Sequence, residues 1–203
     1  GKRWVVELVD VEKKVILVNR AKGGQPPKFG GAGMAVHDVV RQEMFKILSE
    51  SDYKIKVGEH RIEFADETAQ SLFQEAAKFF QTANLAKTNF IQQGNRTVIL
   101  PWAGDKVVNT IVAVLISKGF AAGAFAGVIE IEKADSQDVI DALKSFQADG
   151  TISADELAGS IPEKAIDKFD EYLPENLLIT GYAARAFDID SAKIKVKELL
   201  EVY

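Results

Sequence analysis

The apolar positions of this chain change their spacing from one stretch to the next, and each spacing predicts an element. Residues 3–9 (RWVVELV) and 13–18 (KKVILV) are dense in β-branched and aromatic side chains and are parted by a short polar segment at 10–12. They predict a hairpin. Two strands alone are marginal in water, so the pair is expected to join a larger sheet. Residues 36–48 place Val36, Val39, Val40, Met44, Ile47 and Leu48 on one helical stripe. Residues 53–64 alternate around Gly58-Glu59 as a second hairpin. Asp66 then caps a helix that turns Leu72, Phe73, Ala76, Phe79 and Phe80 inward. Residues 97–102 (TVILPW) predict a buried strand stopped by Pro101. A nearly all-apolar helix comes next at 105–118, with Asp105 as its N-cap, and then paired strands at 120–125 and 127–132.

The pattern beyond residue 133 is helical throughout, with helices predicted at 135–146, 154–159, 162–172, 174–187 and 190–202. Ser153 with Glu156 and Ser160 with Glu163 have the spacing of capping boxes, and Pro162 and Pro174 suit a first turn. The fold class is therefore α+β: a β-rich first part, an α/β middle and a helical end. A mixed β/α region at 1–133 and a helical subregion at 134–203 read as one continuous domain. The chain opens on Gly-Lys-Arg and enters a strand-like run at once. No signal peptide is expected, and the opening reads as that of a fragment cut from a longer protein or a longer sheet.

Between the first hairpin and the first helix lies A-K-G-G-Q-P-P-K-F-G-G-A-G-M, residues 21–34. Five glycines and two adjacent prolines keep it out of helix and strand. So long a loop in a compact domain is either a solvated connector or a contact segment. As a contact segment it would set Lys22 and Lys28 on phosphates, line the backbone with glycine N–H groups and offer Phe29 as a stacking or docking anchor.

Composition adds bounds. Hydrophobic residues make up 47% of the chain and charged residues 27%, as in an ordinary soluble globular protein. No apolar run approaches the ~20 residues a membrane span needs. The absence of cysteine excludes disulfides and thiolate metal sites and fits a cytoplasmic protein. Net charge is −5, which argues against a free-standing nucleic-acid binder. The charge is uneven: residues 1–65 hold twelve Lys/Arg against nine Asp/Glu, and residues 66–203 hold thirteen against twenty-one. A local basic region on an acidic body still suffices for phosphate contact.

Motifs for chemistry are missing. There is no G-x-x-x-x-G-K-[ST] phosphate loop, no dinucleotide fingerprint and no G-x-S-x-G nucleophile. Residues 149–156 (DGTISADE) imitate part of a calcium loop, but its first and third ligand positions would be Ser145 and Gln147. A turn and a capped helix explain the same residues. His37 and His60 have no metal-ligand partner at helical or finger spacing, and Asp38 beside His37 suits a helix N-terminus. Trp102, between a buried strand and a helix, reads either as core packing or as a stacking platform for a base. No catalytic, cofactor-binding or metal residue is assigned.

Taken together, GKRWVVELVDVEKKVILV (1–18), KGGQPPKFGGAG (22–33), HDVVRQEM (37–44), ILPWAGDKVVNT (99–110) and KFDEYLPENLLITGYAARAFDIDSA (168–192) resemble the C-terminal DEAD/H-associated region of large helicase-related (Lhr-type) superfamily 2 helicases. The likeness covers nearly the whole chain. It departs at 53–64, which is longer than usual, and is weak at 135–159. The resemblance implies an accessory segment, partly barrel-like in its β module, that packs beside two RecA-like motor domains and a winged-helix domain. The parent would hydrolyse ATP with Mg²⁺ and translocate on single-stranded DNA, unwinding DNA or RNA:DNA duplexes. The segment itself would be no enzyme. It would brace the motor and help line the path of the strand, through Lys22, Lys28 and Phe29, with Arg41 on the next helix and Trp102 as further contacts. The alternative is a purely structural docking domain that touches no nucleic acid.

Overall fold

The computed structural model describes residues 4–20, 35–167 and 169–202. The chain divides into two compact units, 1–32 and 33–203. In the first unit, β1 (Trp4–Asp10) pairs antiparallel with β2 (Val15–Arg20), with Trp4 opposite Arg20 and a bulge between Val6 and Leu8. Asp10 closes the turn by accepting the Lys13 N–H at 2.9 Å. The pair is a separate two-stranded sheet. Successive strand residues point to opposite faces, and apolar side chains stand exposed on both: Trp4 and Val6 on one, Val5 on the other.

The second unit starts with α1 (Asp38–Glu50), the short hairpin β3 (Ile55–Val57) and β4 (His60–Ile62), and α2 (Glu67–Thr82). Asp66 caps α2 as predicted, its Oδ1 accepting the Ala69 N–H at 2.8 Å. The inward face differs from the prediction. Ala77 and Phe80 are buried, whereas Leu72, Ala76 and Phe79 are exposed, and α1 buries none of its residues.

The main hydrophobic core is built by residues from Phe90 onward. Strands β5 (Phe90–Gln93), β6 (Arg96–Ile99), β7 (Ala121–Phe125) and β8 (Val128–Glu132) form one antiparallel sheet in the order β5-β6-β8-β7. Register puts Ile99 beside Ile129 and Thr97 beside Ile131, and Ile129 in turn beside Ala124. One sheet face is thus apolar, and α3 (Asp105–Ser117) lies against it. Val107, Val108, Ile111, Val114 and Leu115 of α3 are buried nearly completely, which is why its sequence is apolar almost all round. Around α3 pack α4 (Ser136–Ala148), α5 (Ala154–Gly159), α6 (Glu175–Ala186) and α7 (Ile189–Val202). Buried Thr97 is satisfied inside this core: its hydroxyl lies 3.0 Å from both the Ala134 carbonyl and Gln92 Oε1. Gln92 Oε1 also accepts the Ser136 N–H at 2.9 Å, which ties the start of α4 to the sheet.

These elements confirm the α+β class. The described residues form three separate antiparallel sheets and no closed barrel, so the partly barrel-like module implied by the resemblance is not found among them. Strand β5 is an addition, since its FIQQ sequence is half polar and carries no strand period. The helix predicted at 162–172 does not form. Ser160 instead ends α5, with its hydroxyl donating to the Leu157 carbonyl at 2.7 Å. The Asp170 carboxylate, buried beside a 3-10 turn at Asp170–Tyr172, accepts the N–H groups of Ile166 and Asp167 at 2.9 and 3.0 Å. A side chain that caps two backbone donors holds the segment as a folded loop and competes with helix. Those donors, together with Arg185 2.9 Å away, hold the Asp170 carboxyl below the usual carboxylate range.

Candidate functional site

Arg41 and Trp102 stand far apart in sequence, and the fold brings them to the same cleft. Two helix starts meet beside it. His37 caps α1, its Nδ1 accepting the Val39 N–H at 3.3 Å. Asp38, the first residue of α1, accepts the Gly104 N–H at 2.8 Å across the interface. Asp105, the first residue of α3, accepts the Val36 N–H at 2.8 Å, while its own N–H donates to the Val36 carbonyl at 2.9 Å. Each helix therefore lends its first carboxylate to the chain entering the other. Gly104, rather than Asp105, is the N-cap of α3. A Cβ at Gly104 would stand 2.7 Å from Asp38 N and 2.9 Å from Val36 O, so the close approach requires glycine.

Arg41 lies one turn into α1. Its side chain is only 12% exposed, and its Nη2 is 3.7 Å from Asp105 Oδ1. The guanidinium lies against Gly127, in the turn between β7 and β8, where an added Cβ would meet Cζ at 2.7 Å. Trp102 comes after β6 and turns the chain toward α3 with φ at 51°, in the left-handed region that bulky residues avoid. Its indole meets Phe45 and Phe80 edge-on at centroid distances of 5.4 and 5.7 Å, and those two rings meet at 5.6 Å. This aromatic triad fastens α1 and α2 to the end of β6. Two clefts flank it. One of about 170 Å³ is lined by Arg41, Met44, Leu48, Leu100, Trp102 and Gly127. The other, of about 260 Å³, runs from Gln42 and Phe45 past Pro101 and Trp102 to Lys195 and Glu198.

Arg41 Nε and Trp102 Nε1 are both buried without a hydrogen-bond partner among the described residues. As placed, Arg41 balances the charge of Asp105, and Trp102 packs with aromatic neighbours. Lys22, Lys28 and Phe29 lie outside the described residues. Sequence reasoning singled out Arg41 and Trp102 but missed what organises them: the carboxylate exchange between Asp38 and Asp105, the Gly127 platform, and Phe45. None of these carries a local signal, because each acts on a partner more than thirty residues away in the chain.

The other candidates resolve into structure. Asp149 accepts the Thr151 N–H at 2.8 Å and its hydroxyl at 2.7 Å, which holds its carboxyl below the usual range. It therefore shapes a turn ahead of the Ser153/Glu156 capping box, whose two reciprocal bonds are both present. His60 sits exposed on β4. Among the described residues no three His, Asp or Glu side chains converge as a metal group, and no helix is long and apolar enough to cross a membrane.

No protein-family model matches the chain, and no curated protein or solved structure matches it either.

Proposed function

We propose that this chain is a non-catalytic accessory domain of an Lhr-like ATP-dependent helicase, and that it braces the motor by docking. The resemblance of its motifs supplies the family. The observation that carries the docking role is the exposed apolar surface. Trp4, Val5, Val6, Leu8, Ile16 and Leu17 stand open on the first hairpin, and in the second unit Val39, Leu72 and Phe79 are 57%, 62% and 61% exposed. Large apolar side chains left open in each unit support an interaction role. ATP and Mg²⁺ would be held by the RecA-like domains of the parent, with the winged-helix domain and the motor as docking partners.

Contact with the translocated strand, DNA or an RNA:DNA hybrid, is the second part of the reading. It rests on Lys22, Lys28 and Phe29 of the glycine-rich segment and on Arg41 and Trp102 of the second unit as candidate contacts. The sharing of one cleft by Arg41 and Trp102, each with an unpaired N–H, favours a role near the strand. In the intact helicase, Lys22→Ala/Lys28→Ala should weaken anisotropy-measured binding to a tailed duplex and flatten its salt dependence. Unchanged affinity and unwinding would remove the loop from the nucleic-acid path and leave docking alone. Walker-type motifs in the reading frame upstream of Gly1 would support the parent assignment, and ATP hydrolysis by the purified chain would overturn the non-catalytic one.

A further inference from the structure

The four-stranded sheet ends on a strand that no other strand covers. β7 pairs with β8 on one side only, and no other strand among the described residues bonds its outer edge. Its sequence, AAGAF, has none of the devices that normally protect an edge, such as lysine, proline or a bulge. The hairpin turn fixes which groups are free. Ala126 and Gly127 have φ of 52° and 85°, a two-residue turn of the primed kind, so Phe125 and Val128 exchange both backbone bonds. Alternation along the ladder then turns the N–H and C=O of Ala122 and Ala124 outward. Among the described residues these four backbone groups have no strand partner.

The two sides of that edge differ in chemistry. Ala122 and Ala124 share the core face, over α3. On α3 the residues left half-buried are Asp105, Asn109, Val112 and Ile116, which fall on one helical face. Asn109 lines a recess of about 210 Å³ with Ala124 and Phe125, so this face borders the β7 edge. Val112 and Ile116 are the apolar pair of this helical face, and Val112 packs against the core. On the opposite sheet face, Ala121 and Gly123 stand next to Glu132 and Glu130 and line with them a groove of about 340 Å³. Glu130 is bonded to Arg96 at 3.1 Å, whereas Glu132 is exposed and carries no ion pair among the described residues. Phe125, 86% exposed, marks one end of the groove.

We propose that the free edge of β7 is a strand-addition site for an extended polypeptide segment that alternates apolar and basic side chains. Its apolar residues extend the core over Val112 and Ile116, its basic residues reach across the small side chains of β7 to Glu132 and Glu130, and its backbone completes the ladder at Ala122 and Ala124. Main-chain bonds supply affinity and the alternation supplies specificity. The site does not depend on the helicase reading, and its failure would leave that reading intact.

The test uses the whole chain and a fluorescein-labelled, acetylated peptide of four Val-Lys repeats, monitored by anisotropy at low salt. Saturable binding is expected, and antiparallel addition points the valine N–H groups at β7. N-methylation of the valines should therefore weaken binding by about tenfold or more, and N-methylation of the lysines should not. Ala124→Pro should match the first effect with an unchanged circular dichroism spectrum, because its lost N–H carries no ladder bond. Glu132→Lys should weaken binding as well. The proposal is overturned by absent saturation, by equal effects of the two methylations or by full binding to Ala124→Pro. It is equally overturned if β7 pairs with a second copy of the chain, seen as a dimer in sedimentation that the peptide does not dissociate.

Discussion

At Gly127 a single hydrogen decides whether the Arg41 guanidinium can lie against the turn between β7 and β8. A methyl group there would press on the Arg41 guanidinium at 2.7 Å, and the φ of 85° is one that alanine resists. Gly127→Ala should cost about 1–3 kcal/mol in a urea melt, from backbone strain plus the displaced ion pair with Asp105. A second residue-scale effect sits in the β3–β4 region. The Tyr53 hydroxyl donates to Glu63 Oε2 at 2.6 Å, and this bond, with lesser desolvation and charge repulsion, pushes the Tyr53 pKa from 10.0 up to about 12. The same bond, with help from the Ala65 N–H and Lys54, holds Glu63 below its ordinary value. The signs are opposite. The Tyr53 contribution is complete below its unfolded pKa and is lost as pH rises through about 12. The Glu63 contribution is present above the ordinary carboxylate value and is lost as pH falls through its depressed one. In a titration of tyrosinate absorbance Tyr53→Phe should remove the step at about 12 while the late titration of Tyr182, which burial pushes up, remains; an unchanged step at about 12 in the variant would assign it elsewhere.

Elements were legible in proportion to how locally they are determined. The periodic runs mark α1, α2, α3, α4 and the hairpins β1–β2 and β7–β8 to within about two residues, because their patterns and caps lie within a dozen positions. The Ser153/Glu156 box belongs with these, and Ser153→Ala should destabilise α5 by about 1 kcal/mol, measurable as a lowered melting temperature. Asp105 has the type and position of an N-cap, yet its carboxylate serves Val36 instead. At 162–172 the local signals are equally good, and Asp170 and Arg185 override them through bonds to the loop. The apolar stripes of α1 and α2 predict an inward face, but periodicity reports only that a face is to be covered, not what covers it. That explains the exposure of Val39, Leu72 and Phe79 together. The candidate site was half legible: Arg41 and Trp102 were visible as residue types, and their convergence was not.

At the scale of the whole molecule, well-buried and uncovered parts coexist. The sheet, α3 and the four C-terminal helices bury side chains completely, among them Phe146, Ile99 and Leu143. The β1–β2 hairpin and the outer faces of α1 and α2 leave apolar surface open. Docking as proposed would use the exposed apolar positions on α1 and α2 of the second unit. Charge placed on that face should accordingly leave stability within about 0.5 kcal/mol while removing the partner. Phe79→Asp and Val39→Asp are suited to this, since both positions are exposed. The central claim is that docking is apolar. Its most direct test is the affinity of this chain for the motor and winged-helix portion of an Lhr-type helicase, titrated across a range of salt concentrations. Apolar docking gives binding that changes little with salt and is lost in Phe79→Asp/Val39→Asp. Binding that collapses with added salt, or that survives those substitutions, would contradict it.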